Sequence, residues 1–360
     1  MKITDIKLTE LKRVGPVVIA GGLPPQYLEF ILMTVYTDEG IEGHCIEWFD
    51  SFEKIAGCLG NLKRCAVGRD PHDVKKITNT TTRDFRNLDV AGSILDICLY
   101  DILGKYYKTP VYNLLGGKIK DKMPAYVSTN CYNTVDEYVK LAKEAESKNF
   151  IGYKIHSSPS AKLDIEICEA VREACPNIHL MLDAVNGYTM KEALEVGKAL
   201  EKLNFEWYES PIHDDNVDGY KVLRNKLDIP LSFGESIVDI ARSLPKYLKE
   251  APADICRTLA DLRGGITLLE RCAHICDGFQ VIFDPHSYGP TTVQAAHFHS
   301  MLAHQYSSWL EMPIDLDVFA VGMKDQLLPD ESGYVAAPTK PGLGYELDMD
   351  AIAGMAIRTA

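Results

Sequence analysis

Three carboxylates recur at a constant interval in the middle of the chain. Asp183, Glu209 and Glu235 stand 26 residues apart, and each ends a short apolar run, HLMLD, FEWYE or LSFGE. Such runs predict buried strands of repeating βα units that deliver three acids to one place. Capping of the following helix would explain any single acid. Three together would repel one another without a cation, and all-oxygen ligands favour Mg²⁺ over zinc.

Other side chains in this region could transfer protons. Lys154 and His156 in GYKIH are two residues apart, so both project from the same face of a predicted strand. Beside the carboxylates they could act as bases. On an isolated strand, the simpler interpretation would be structural: a Lys paired with an acid and a His that fills polar space. His286 in DPH and Glu311 in WLE end two later strands, and His44 in the N-terminal hairpin is a candidate substrate contact.

The ten cysteines show no disulfide framework spacing, which indicates reduced thiols in a cytoplasmic protein. Cys272 and Cys276 lie one helical turn apart beside His274. No second ligand pair follows nearby, so we interpret them as core packing rather than a metal site. His304 is likewise interpreted as a surface, packing or helix residue.

Composition narrows the class of partner. The 360 residues are 46% hydrophobic, enough for a large core and a smaller second unit. A net charge of −13 argues against nucleic acid or an anionic membrane as partner. We find neither a membrane-spanning apolar stretch nor a secretory h-region, and no glycine-rich phosphate loop predicts a nucleotide cofactor. A small-molecule ligand is therefore expected.

The pattern of elements changes twice along the chain. Residues 1–118 begin with alternating strands and continue with helical periodicity, which predicts an α+β unit. Residues 119–320 carry eight apolar strands separated by amphipathic helices, which favours a β/α barrel. Residues 321–360 lack this repeat and are predicted to return to the first unit.

These motifs together resemble the enolase superfamily in its mandelate racemase/muconate lactonizing enzyme branch. The resemblance covers essentially the whole chain and rests on SILDICLYDILGKYYKTPVYNLLGGK, LMLDA, WYESP, FGES, the Gly264-Gly265 pair and WLE. It implies an α/β fold: a modified TIM barrel, (β/α)7β, with an N-terminal α+β capping domain. It also implies that Asp183, Glu209 and Glu235 bind Mg²⁺.

The same resemblance assigns roles to the remaining candidates. Lys154 and His156 occupy the family's second-strand Lys-x-Lys positions, His286 matches its seventh-strand histidine, and Glu311 matches the eighth-strand glutamate that supports the substrate carboxylate, where a hydrogen bond donated by Glu311 is expected. We expect His156 to take the proton while Lys154 assists, with the reverse assignment left open.

One departure concerns the partner of His286. The family places an aspartate five residues before the Gly-Gly pair, where this chain has Leu259. Asp261 could substitute only if the strand end bulges or shifts. Without an acidic partner His286 is less basic, which favours a role as an acid toward a leaving group.

The resemblance implies abstraction of the proton α to a carboxylate. We predict that elimination of a β-hydroxyl follows and gives a 2-keto-3-deoxy acid from an acid sugar. The alternative is a racemase or epimerase of an α-substituted carboxylate such as an amino acid or hydroxyproline derivative, and a scaffold protein without catalysis is a third reading. Gly22, His44 and Arg83 of the first unit are the candidate substrate contacts, and a symmetric homo-oligomer is expected.

Overall fold

A four-stranded antiparallel sheet is built mainly from the start of the chain. Its strands are β1 (Ile3–Val17), β2 (Gln26–Thr37) and β3 (Glu42–Glu47), joined by a strand from the far end of the chain, Ala356–Thr359, which pairs with β1. The structure is a computed structural model that describes residues 1–18, 24–84, 89–158, 160–250 and 253–360, without the side chains of 82–84 and 89. Gly22 therefore lies outside the described residues, as does the side chain of Arg83.

Helices pack on this sheet and against the barrel. They are α1 (Phe52–Ala66), a 3-10 turn (Pro71–Asp73), α2 (Val74–Asp84), α3 (Asp89–Tyr106) and α4 (Val111–Leu114). The described part of α3 is buried on all sides along residues 91–104, which accounts for its mainly apolar sequence, with Asp96 and Asp101 as buried exceptions. Sheet and helices together form the cap.

Eight parallel strands follow and curl into a barrel. They are β4 (Lys122–Ser128), β5 (Gly152–His156), β6 (His179–Asp183), β7 (Trp207–Glu209), β8 (Leu231–Phe233), β9 (Ile255–Cys256), β10 (Ile282–Phe283) and β11 (Leu310–Pro313). Parallel pairing runs without interruption from β10 back to β4 and on to β11. This confirms the predicted modified TIM barrel with an α+β cap.

Helices connect successive strands and form the outer layer. They are α5 (Val135–Ser147), α6 (Ala161–Ala174), α7 (Met190–Lys202), α8 (Val217–Arg224), α9 (Ile240–Glu250), α10 (Ala260–Arg263), α11 (Gly265–Phe279) and α12 (Thr291–Ala303). The chain continues through α13 (Leu316–Phe319), β12 (Tyr334–Ala336), α14 (Met349–Met355) and β13 (Ala356–Thr359). The domain boundaries at 118/119 and 320/321 stay predictions.

Large side chains fill the interior of the barrel below the carboxyl ends of the strands. Tyr126, Met181, Trp207 and Ile255 form this buried layer, with Tyr126 and Trp207 in edge contact at 5.3 Å. This apolar layer fills the barrel interior, so a polar site is expected at the carboxyl ends of the strands, where the predicted carboxylates lie.

A buried carboxylate joins the cap to the barrel. Asp96 of α3 accepts hydrogen bonds from the backbone N of Thr267 (3.0 Å), from the Thr267 hydroxyl (2.6 Å) and from the Thr78 hydroxyl (2.7 Å). Asp96 lies directly against Gly265, whose φ of +68° belongs to the left-handed region. A Cβ at residue 265 would overlap the Asp96 carboxylate, so glycine is required there.

We predict that Gly265→Ala lowers the free energy of unfolding by about 2–4 kcal/mol, through left-handed backbone strain and steric overlap with Asp96. Gly278→Ala in the same helix is the control, because a Cβ there meets no atom within 4 Å. It should be neutral or slightly stabilising. Chemical denaturation measures both variants, and equal stabilities would contradict the role assigned to Gly265.

Candidate metal and catalytic site

The three regularly spaced carboxylates converge at the carboxyl end of the barrel. Asp183 ends β6 and pairs in register with Glu209 at the end of β7, and Glu235 follows β8 by two residues. One oxygen of each lies within 4.8 Å of the others. Asp183 and Glu209 are buried and Glu235 is partly exposed, so the trio offers oxygen ligands with one side reachable from outside.

The pKa values of the three carboxyl groups indicate an excess of negative charge in this cluster. Burial, together with the charge of Asp183, raises the pKa of Glu209 and of Glu235 to about 7. Burial also works to raise the pKa of Asp183, but the positive charges of Lys154 and His156 hold it below its ordinary value. Without a cation, Glu209 and Glu235 are therefore difficult to ionise together. The three side chains offer only oxygen ligands, which fits Mg²⁺.

Lys154 projects into the centre of the carboxylates. Its fully buried Nζ lies 2.8 Å from Glu311 Oε1, 3.0 Å from Glu209 Oε2 and 3.5 Å from Asp183 Oδ2. Burial and the charge of Arg257 act to lower the pKa of Lys154, yet Glu209 and Glu311 raise it well above its ordinary value. Lys154 is therefore a permanent cation in this site and a poor proton acceptor.

His156 lies on the same face of β5 as Lys154, as its spacing predicted. Its Nε2 is 3.2 Å from Asp183 Oδ2, and its Nδ1 has no hydrogen-bond partner among the described residues. Burial lowers the pKa of His156, but the charge and hydrogen bond of Asp183 outweigh it and raise the pKa above its ordinary value. An imidazole held by a carboxylate at one nitrogen offers the other as a base.

Arg257, which the sequence reasoning missed, is the second buried cation. Its Nε lies 2.6 Å from Glu209 Oε1, its Nη2 is paired with Glu311 Oε2, and its Nη1 donates to the Tyr126 hydroxyl (3.1 Å). The strand period carried a signal, since Arg257 stands two residues after the inward-facing Ile255.

Glu311 is ionised in this arrangement. Burial acts to raise its pKa, but Lys154 and Arg257 hold it well below its ordinary value. In the substrate-free site its carboxylate is therefore an acceptor held between two cations, so the hydrogen bond that we expected Glu311 to donate would require it first to gain a proton.

His286 has no acidic partner among the described residues. Its ring stacks on Tyr288 with centroids 6.1 Å apart, and its buried Nδ1 makes no hydrogen bond to them. Burial lowers the pKa of His286 to about 4, with further lowering by Arg257 and Lys154. The imidazole is therefore neutral near pH 7.

Asp261 does not take the place of the missing aspartate in any described contact. It lies in the first turn of α10 rather than at the end of a bulged strand, and neither of its buried carboxylate oxygens has a hydrogen-bond partner among the described residues. Burial, with the charge of Glu235, raises the pKa of Asp261 to about 7. Leu259, at the family position, is buried.

His44 is placed in the seam between β3 and α3. Its Nδ1 lies 3.3 Å from the Thr34 hydroxyl, and its backbone N donates to Asp101 (3.1 Å). It lines a cleft of about 230 Å³ together with Lys105 and Tyr345. None of its described contacts reaches the carboxylate trio, so its predicted substrate contact has no support from its position.

Trp48 is the cap residue that lies near His286, through its contact with Tyr288. The Trp48 ring lies 5.9 Å from Tyr288 and 4.9 Å from Phe319, and its buried Nε1 has no hydrogen-bond partner in the described part of the chain. Tyr288 is the residue on which His286 stacks. An aromatic wall from the cap thus meets the end of the seventh barrel strand, a contact that no local sequence pattern had indicated.

Comparison with known proteins covers both parts of the chain. Residues 3–116 match the family described as mandelate racemase / muconate lactonizing enzyme, N-terminal domain, and residues 137–351 match the enolase C-terminal domain-like family. An arabinonate dehydratase of Saccharolobus solfataricus is 30% identical over 73% of this chain and 71% of its own length. An N-succinyl-L-Arg/Lys racemase of Bacillus cereus is 27% identical over 98% of this chain and 97% of its own.

One solved structure has the same fold over the whole length of this chain. A candidate mandelate racemase/muconate lactonizing enzyme from Pseudovibrio sp. superposes with a TM-score of 0.91 at 28% identity, covering 100% of this chain and 98% of that one. The relatives thus include both an acid-sugar dehydratase and a racemase. Within the described residues, no helix is long and apolar enough to cross a bilayer.

The trio predicts a metal-linked stabilisation. Mg²⁺ at about 100 times its dissociation constant should add about 2.7 kcal/mol to the free energy of unfolding. Glu235→Gln should abolish this gain, and at pH 8 it should leave the metal-free protein at least as stable. The reason is that a carboxyl whose folded pKa is raised to about 7 lowers the free energy of unfolding as pH rises from its ordinary pKa, and this loss is complete above about pH 7.

Thermal unfolding with and without Mg²⁺ at pH 8 tests this. Glu195→Gln, an exposed carboxylate on α7, is the matched control and should keep the full gain. A Mg²⁺-linked rise that survives in Glu235→Gln would show that the ion binds elsewhere.

Proposed function

The chain belongs to the mandelate racemase/muconate lactonizing enzyme family of the enolase superfamily, and from that premise we propose that it is a Mg²⁺-dependent acid-sugar dehydratase. Its reaction would remove the proton α to a carboxylate and expel a β-hydroxyl as water, giving a 2-keto-3-deoxy acid. The observation that carries this choice is that the buried Nδ1 of His286 has no acidic partner among the described residues.

Charge stabilisation is the first requirement, because removal of the α-proton leaves an enolate with two negative charges. Asp183, Glu209 and Glu235 would hold Mg²⁺, which when bound acts as a Lewis acid toward the substrate carboxylate. Lys154, an ammonium buried among three carboxylates, adds a fixed positive charge at the same place. Arg257 holds Glu311 and Glu209 in position from below.

His156 is the base in this proposal. Asp183 accepts the hydrogen bond of Nε2, which leaves a lone pair on Nδ1 for the α-proton. The electron pair of the C–H bond then forms the enolate, and the β C–O bond breaks with its pair on oxygen. A proton joins that oxygen to give water, and the remaining enol tautomerises to the 2-keto acid. Lys154 is assigned the assisting role, because its ammonium is already paired with Asp183, Glu209 and Glu311.

His286 is assigned the proton that the leaving hydroxyl needs. Its pKa of about 4 in the substrate-free site means that it must gain this proton as the anionic substrate enters. Racemisation would demand more of the same group, since a 1,1-proton transfer needs competent bases on both faces of the α-carbon. A histidine that lacks a carboxylate partner is poorly suited to that second role.

Substrate class follows from the same reasoning and from the relatives. An acid sugar supplies the α-proton, the carboxylate and the β-hydroxyl, and the arabinonate dehydratase relative supports this class. Trp48 is the cap residue that we propose to contact the substrate. The contacts of Gly22 and Arg83 stay predictions, whereas His44 lies in the seam between β3 and α3, away from the carboxylate trio in its described contacts. A homo-oligomer in the cytoplasm remains the expected setting.

Proton NMR in D₂O tests the reaction directly. With Mg²⁺ and a panel of aldonic, aldaric and uronic acids, we expect a 2-keto-3-deoxy product. The same panel should include proline and hydroxyproline derivatives. Deuterium at the α-carbon with all hydroxyls retained would instead identify a racemase or epimerase, and would contradict the dehydratase.

Two substitutions separate the roles of the histidines. His156→Asn should lower kcat by about 10³-fold, within the range expected for loss of a general base. His286→Asn should lower turnover by at least about tenfold, because the leaving hydroxyl loses its proton donor. His213→Asn, in an exposed loop, should leave turnover unchanged.

Turnover and the Mg²⁺-linked rise in melting temperature are measured for each variant. Retention of that rise shows that a loss of activity does not come from misfolding. A loss of no more than a few-fold in His286→Asn would remove His286 from the mechanism.

A further inference from the structure

A second group of metal-ligating side chains lies on the outside of the barrel. Glu270 and His274 are on α11, and His304 caps the carboxyl end of α12. One ligand atom from each lies within 4.8 Å of the others. We call these three residues the α11/α12 cluster. It shares no residue with the carboxylate trio of the barrel.

His304 is held as a metal-bound histidine would be. Its Nδ1 lies 3.0 Å from Asp277 Oδ2, and its Nε2 faces both oxygens of Glu270 at 3.2 Å. A carboxylate on one imidazole nitrogen fixes the ring orientation and presents the other nitrogen to a metal. His304 is 5% exposed, so this geometry is built into the packing of the two helices.

The other two members are positioned by their own partners. The Ser300 hydroxyl donates to Glu270 Oε1 (2.8 Å). His274 is bonded through Nδ1 to the backbone carbonyl of Glu270 one turn earlier (2.5 Å), and its Nε2 makes no hydrogen bond among the described residues. Every candidate ligand thus has an outer partner that orients it, which is the support expected around a metal site.

The distance between the two rings also suits one shared ion. The His274 and His304 centroids are 5.0 Å apart with planes at 79°. Two imidazoles bound to one tetrahedral ion through bonds of about 2 Å have centroids about 5 Å apart. An ion pair of His304 with Glu270 and Asp277 would explain those three residues alone. It gives no role to His274, which is exposed.

We propose that the α11/α12 cluster binds a divalent transition-metal ion of the Zn²⁺ class through Glu270, His274 and His304. Two imidazoles and one carboxylate select such an ion over Mg²⁺, which prefers oxygen ligands alone. Asp277 and Ser300 are positioning residues. The ion would join the helix after the sixth barrel strand to the end of the helix after the seventh.

The site has an access route. Glu270 and His274 line a cleft of about 490 Å³ between barrel and cap, whose other walls include Tyr100 and Arg271. A fourth ligand, water or a small anion, can therefore reach the ion from this side. This site is independent of the reaction proposed above.

Cobalt titration of tag-free, chelator-treated protein tests the site. The Glu235→Gln background weakens competition from the barrel trio. We expect one equivalent of Co²⁺ to give the visible absorption of a four- or five-coordinate nitrogen and oxygen site, and Zn²⁺ to displace it. His274→Ala should lower the Co²⁺ affinity at least about tenfold, and Asp277→Asn by about 10- to 100-fold.

The control is His179→Ala, which removes another exposed imidazole beside a carboxylate, Glu206 (2.6 Å), and should leave the absorption unchanged. Because His274 is exposed, its replacement should not unfold the protein. Melting temperatures of the metal-free variants verify this. Absence of the absorption, its persistence in His274→Ala, or its equal loss in His179→Ala would each overturn the proposal.

Discussion

An excess of buried negative charge governs the carboxyl end of this barrel. Four carboxylates meet two permanent cations there: Asp183, Glu209, Glu235 and Glu311 against Lys154 and Arg257. With His156 neutral, full ionisation of the four acids leaves two negative charges uncompensated in a site largely shielded from solvent, which is costly. The protein alone responds by raising the pKa of Glu209 and Glu235 to about 7. A divalent cation matches the deficit, and it would release both acids to ionise.

The same imbalance explains why the two cations are placed differently. Lys154 enters among the carboxylates as a point charge with contacts to three of them. Arg257 approaches from the core side and reaches Glu209 and Glu311 through two different nitrogens of one rigid, planar guanidinium. Lys154 thus compensates negative charge where a ligand would bind, and Arg257 holds the carboxylates in place from the core side.

Sequence reasoning predicted the features that follow from strand periodicity. The 26-residue interval and the apolar runs placed Asp183, Glu209 and Glu235 correctly, because carboxyl ends of adjacent parallel strands must meet. It missed Arg257, because β9 is only two residues long and the two-residue step from Ile255 was the single periodic signal for it. It could not place His44, because a hairpin pattern gives the face of a strand but not its tertiary neighbour. His304 pairs with His274 through helix packing across 30 residues of sequence, which no local pattern records.

The pairing of β13 with β1 bears on the order in which the molecule assembles. Thr9 lies opposite Thr359, 350 positions later in the chain, so the entire barrel lies between the two strands of this ladder. Contacts of such long sequence separation form late, since the intervening chain must first be compacted. The first three strands of the cap can pair locally, but their outer neighbour arrives only when the barrel has brought the chain back. A cap sheet completed by β13 therefore indicates that the barrel between β1 and β13 has folded.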